Sequence, residues 1–89
     1  MRLAAVAAAG LLGGCATLET VGKAREALAR AEASGAEARA PYDYHAARAY
    51  LEMAEHEKDE LDWKAAREWA QKALDHASRA LAAAGGGDR

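Results

Sequence analysis

Chemistry in this chain begins at its only cysteine, Cys15, and at the residues immediately before it, Leu12, Gly13 and Gly14. Arg2 is the single charge ahead of it, and Leu3 to Leu12 form a short uncharged apolar run. Two glycines then leave a small, accessible stretch against the thiol. A charged start, an apolar run and small residues at a cut site are the order of a secretory signal. The run is far shorter than the roughly 20 residues needed to span a bilayer. Gly10, Gly13 and Gly14 would each weaken an uncleaved helix by about 1 kcal/mol relative to alanine.

Leu12-Gly13-Gly14-Cys15 resembles the lipobox of bacterial lipoproteins. The resemblance implies that the Cys15 thiol is acylated, that residues 1–14 are removed as a signal peptide, and that Cys15 becomes the lipid-modified N-terminus. It also implies a diacylglyceryl group and an amide-linked third chain, with acyl groups such as palmitate. Two or more such chains hold a protein firmly on a membrane, whereas one does so only marginally. Ala16 follows the cysteine, where an aspartate would direct retention at the inner membrane. The implied location is the periplasmic face of the outer membrane.

Other reactive constellations are missing from the sequence. Apart from Cys15, only Ser34 and Ser78 could serve as a serine or cysteine nucleophile, and neither stands in a triad-like setting. The chain has no glycine-rich phosphate loop and no His-Glu-x-x-His pattern, so no enzyme activity, small-molecule substrate or cofactor is expected. Glu52, His56 and Glu60 share one helical face, and His76 could approach His56 from an antiparallel neighbour. Mixed histidine and carboxylate ligands suit zinc. Spacings of four are also the ordinary pattern of a solvated charged face, and no metal site is expected. Lys64, Glu68 and Lys72 alternate in sign in the same solvated manner.

Removing residues 1–14 leaves 75 residues and moves the formal net charge from −2 to −3, because Arg2 is the one charge lost. That balance disfavours a nucleic-acid partner, which calls for a basic patch. Once Cys15 is acylated no thiol remains for a disulfide. Phenylalanine and isoleucine are absent and alanine dominates, so the core must be thin. Domains this small gain stability from staples, metals or association. Self-association or an envelope protein partner is the expected route.

The elements that position these residues read as helices over about 17–34, 43–60 and 62–84, followed by a flexible tail over 85–89. In the first, Leu18, Val21, Leu28 and Ala31 form one apolar stripe, with Glu19–Lys23 and Glu26–Arg30 paired on the other side. Ser34-Gly35 is a stop signal, after which helix may resume only as far as Pro41. The expected fold is all-α: an antiparallel helical hairpin or three-helix bundle, as one domain over 15–84, behind the cleaved lipoprotein signal.

Residues 43–50 and 62–69 share the pattern Asp, aromatic, any, Ala, Ala, Arg, any, aromatic. Asp43 and Asp62 suit helix caps or first turns, and Ala47 and Ala66 permit close helix approach. The rings Tyr44, Tyr50, Trp63 and Trp69 are either the bulk of an alanine-rich core or an interaction surface. Trp63 and Trp69 are among the few large side chains, so changing at least one of them to alanine is expected to unfold the monomer at room temperature.

Residues Leu61 to Leu74 resemble the first half of a tetratricopeptide repeat unit, with Asp62, Trp63, Ala65, Ala66 and the closing Lys72-Ala73-Leu74. The offset between the two related segments is 19 residues rather than the 34 of that repeat. More of the chain resembles small bacterial lipoproteins of the domain-of-unknown-function 4398 family. The likeness rests on the lipobox, the Ala40-Pro41-Tyr42-Asp43-Tyr44 segment, the helix through Ala47 to Ala54, and Asp62-Trp63-Lys64-Ala65-Ala66. It implies a non-catalytic, lipid-anchored envelope protein with a structural or interaction role. The repeat resemblance implies instead an adaptor that binds a peptide segment of an envelope partner between the second and third helices.

Overall fold

A computed structural model describes the backbone of residues 2–86 and the side chains of residues 13–85. Four helices follow one another: α1 (Arg2–Ala33), α2 (Ala36–Arg39), α3 (Pro41–Asp59) and α4 (Trp63–Leu81), with a terminal helical turn over Ala82–Gly86. The fold is an all-α bundle of three long helices with α2 as a connector. The tail expectation for residues 87–89 lies outside the described residues.

Helix α1 begins at Arg2, not near residue 17, and passes through Gly13 and Gly14 without a break. Alanine, the best helix former, stands densely on both sides of the glycines and offsets their cost. The expected stop is where the chain places it. Gly35 adopts φ 80°, a left-handed conformation open to glycine at little cost, and its N–H donates to the Glu32 carbonyl at 3.0 Å. After α2, Pro41 stands at the first position of α3, where its missing N–H costs no helical hydrogen bond.

The turn from α3 to α4 is equally local. The Asp62 N–H donates to the Glu57 carbonyl and the Leu61 N–H to the Lys58 carbonyl, both at 2.9 Å. This is a Schellman closure with Leu61 in the left-handed place usually taken by glycine, at φ 64°. For a residue with a side chain that conformation costs about 1–2 kcal/mol. Asp62 then caps α4, its carboxylate accepting from the Ala65 N–H at 3.1 Å. Asp43 is in the first turn of α3 and spends its carboxylate on α4 instead.

Helices α1 and α4 run parallel, with α3 antiparallel to both. Thr17 meets Trp63 at one end, while Ala31, Ala36, Tyr44, Ala80 and Ala84 share a cluster at the other. The buried residues recur at alternating spacings of three and four, apart from one step of seven on α1 in which half-buried Leu28 falls. On α1 they are Gly14, Thr17, Val21, Ala24 and Ala31, and on α4 they are Ala66, Ala70, Ala73, Ala77 and Ala80. That heptad rhythm keeps a straight seam facing a neighbouring helix. Alanine along the whole α4 seam lets α1 and α3 both approach it closely. The result is a slender molecule, 53 × 25 × 14 Å.

Leu18 does not belong to the α1 stripe: it is 51% exposed, and Thr17 is buried in its place. The Thr17 hydroxyl donates to the Trp63 carbonyl at 2.9 Å, so its burial leaves no polar atom unsatisfied. Tyr44 is the largest fully buried side chain, and its hydroxyl donates to Glu32 at 3.2 Å. Val21, Ala54 and Ala70 form a second cluster, covered by Leu51 and Trp69. Bulk enters this core at a few points, between runs of alanine.

Candidate functional site

Two regions gather the residues singled out by the sequence. The first is the end of the bundle where α1 passes the start of α4. Gly14 is buried there against the indole of Trp63, and a Cβ added to it would stand 3.4 Å from Trp63 Cε2, ordinary van der Waals contact. Cys15, the next residue, points away and is exposed. Two residues on, Thr17 ties the same helix to Trp63. The thiol therefore stands free at the level where α4 begins. The Leu12 side chain lies outside the described residues.

At the same end of the bundle, but on the side of α1 turned toward α4, is an open cleft of about 290 Å³ lined by Gly13, Thr17, Trp63, Lys64 and Arg67. Lys64 and Arg67 are exposed, and no carboxylate lines the cleft. The sequence pattern placed Lys64 in a solvated ladder, and the packing of α1 against α4 gives it a floor and a neighbouring indole.

The second region lies on α3 and α4. Tyr50 stacks on Trp69, ring centroids 5.6 Å apart and planes 19° from parallel. On its other side Tyr50 stacks on His76 at 5.4 Å, and Tyr42 meets His76 edge-on at 5.8 Å. The Lys72 ammonium is 6.0 Å from the Tyr50 ring centre, at the outer limit of a cation–π contact. These rings face one another and so close the space between α3 and α4.

His76 is oriented by Asp43. Its Nδ1 lies 2.8 Å from Asp43 Oδ1, and because a carboxylate only accepts, Nδ1 carries the donated proton. Arg79 Nε donates to the same oxygen at 3.5 Å. The hydrogen bond from His76, with Arg79 beside it, holds the Asp43 carboxyl below its usual range against the opposing effect of burial. At the α1–α3 contact, partial burial raises Glu55. Arg25 and Lys58, both bonded to it, outweigh that and lower it overall. An imidazole oriented by a carboxylate is two-thirds of a nucleophile-activating triad. Among the described residues no serine or cysteine is hydrogen-bonded to His76.

The structure thus separates the four aromatic residues read as core or interface. Tyr44 is 1% exposed and belongs to the core, so it is removed from the interaction surface. Tyr50 and Trp69 are half-buried and mutually stacked, and Trp63 is half-buried at the Cys15 end. The residues at corresponding places in the two related segments therefore have different fates, Tyr50 meeting Trp69 while Tyr44 and Trp63 lie at opposite ends.

Glu52, His56 and Glu60 are all exposed, and His76 goes to Asp43 instead of His56. Among the described residues no group of three or more histidine, cysteine, aspartate or glutamate side chains gathers to hold a metal ion. The Tyr42–His76–Asp43 cluster escaped the sequence reading. Its signal was the turn at Leu61: an antiparallel pair folded there brings the start of α3 alongside the last third of α4.

A groove of about 380 Å³ lies between α1 and α4, with Lys23, Glu26 and Arg30 at its rim and Leu74 and Leu81 beneath. No described helix is long and apolar enough to cross a membrane. In comparison with known proteins, no family model, no curated protein and no solved structure matches this chain.

Proposed function

We propose that this chain is a non-catalytic, lipid-anchored protein of the bacterial cell envelope, with a structural or protein-interaction role at the periplasmic face of the outer membrane. The observation that carries the reading is the position of Cys15. It is exposed at the end of the bundle, level with the start of α4. Among the described residues, a cut before it removes one member of the buried α1 stripe, Gly14, and leaves the seam from Thr17 onward whole. Acyl groups on this thiol would leave the bundle without entering its core. The lipobox resemblance and the likeness to small alpha-helical lipoproteins point the same way.

Intact-mass measurement of the protein from bacterial membranes tests this. The expected result is loss of residues 1–14 with diacylglyceryl and amide-linked acyl additions on Cys15. An unmodified Cys15 would overturn the anchor. Cys15→Ala is expected to leave the chain uncut, or cut elsewhere, and released from membranes by mild washing.

The adaptor reading needs a peptide groove between α3 and α4. Tyr50 stacks on both Trp69 and His76 there, and a groove of about 380 Å³ lies instead between α1 and α4. This counts against a tetratricopeptide-like mode of binding.

A further inference from the structure

We propose that the cleft of Trp63, Lys64 and Arg67 docks the bundle on anionic phospholipid headgroups, their phosphates meeting the two cations and the indole lying at the bilayer interface. This rests on the anchored reading, which puts this end of the bundle at the membrane. Three independent features of the structure converge on it.

The first is charge. Lys64 and Arg67 enter no ion pair with another described residue, and both are exposed at one cleft. The neighbouring acids, Asp59 at the end of α3, Glu60 and Asp62 in the turn and Glu68 on α4, do not line the cleft, and Asp62 is engaged in capping α4. A phosphate in the cleft can therefore reach both cations. Each basic side chain near an anionic leaflet adds attraction that decays within a Debye length.

The second is the apolar surface at the same end. Leu61 is 67% exposed and Leu18 is 51% exposed, two of the most exposed large apolar side chains described. Leu61 also holds the left-handed conformation that glycine would adopt more easily. A bilayer interface covers leucine and favours tryptophan, whose ring is apolar and whose N–H is polar.

The third is the covering of the indole. Gly14 packs on Trp63, and Gly13 forms part of the cleft wall. Held from that side, the indole still borders the open cleft with the two exposed cations, in the full chain as described.

The test uses the full chain carrying Cys15→Ser, so that no acyl group contributes, and vesicles of phosphatidylcholine with or without phosphatidylglycerol. Co-sedimentation is expected with the phosphatidylglycerol vesicles, weakening at high salt. Lys64→Gln with Arg67→Gln is expected to reduce the affinity about thirtyfold. Equal binding to both vesicles, or no change in the double variant, would overturn the proposal. Competition by inorganic phosphate at millimolar concentration would also overturn it, in favour of a free-phosphate site. Because this measurement needs no acylation, its failure is distinguishable from that of the anchor, which the intact mass alone decides.

Discussion

The Tyr50 ring lies on the Trp69 ring at 5.6 Å and 19°, joining the corresponding residues of the two related helical segments. Trp69 also covers the cluster of Val21, Ala54 and Ala70, so the stack ties α3 to the core that α1 and α4 share. In a double-mutant cycle, Tyr50→Ala and Trp69→Ala are expected to show a coupling of about 0.5–1.5 kcal/mol. Tyr50→Ala should lower the melting temperature and any partner capture together. Loss of capture at an unchanged melting temperature would mark the ring as a binding surface.

Tyr44, not a tryptophan, is the side chain whose loss should cost most, because it is fully buried while both indoles are half-buried. Tyr44→Ala is expected to cost about 3–5 kcal/mol, in line with other large aromatic deletions. That is comparable to the whole stability of a domain this small. Circular dichroism should show the variant largely unfolded at room temperature. Tyr44→Phe, which loses only the hydrogen bond to Glu32, should remain folded with a loss of about 1 kcal/mol.

Leu61→Gly relieves the left-handed backbone at the α3–α4 turn and is expected to stabilise the fold by up to about 1 kcal/mol. Part of that gain is returned, because glycine makes the unfolded chain more flexible. Thermal melting measures the first effect. The same variant should bind phosphatidylglycerol vesicles more weakly, so that stability and membrane association move in opposite directions.

Asp43 makes stability depend on acid pH. Its carboxyl is held below its ordinary value in the fold, chiefly by the hydrogen bond from His76. A depressed folded value means that the contribution is present above the unfolded pKa of about 3.9 and is lost as pH falls through the folded value. Melting temperatures measured from neutral pH down to below about pH 4 should fall less steeply for Asp43→Asn than for the parent. The difference at neutral pH should be about 1 kcal/mol or less, because the pair is partly solvated.

The helical class, the stop at Gly35, the boundary at Pro41 and the Asp62 cap could all be read from the sequence. Each is a local matter, settled by backbone freedom, a missing N–H or a side chain within a few residues. The break at Leu61 was open, because neither proline nor glycine lies between Asp43 and Ala84 to rule out one continuous helix. Which residues face inward was not legible. An apolar pattern favours Leu18 over Thr17, and only the Trp63 carbonyl on another helix makes the threonine the better buried residue. Among alanines, hydropathy cannot tell a seam from a surface, so the parallel course of α1 and α4 had no signature. The Asp43–His76 pair, the Tyr50–Trp69 stack and the basic cleft of Thr17, Trp63, Lys64 and Arg67 each join residues from different helices. Their existence depends on register between helices, and packing of small side chains across the bundle sets that register.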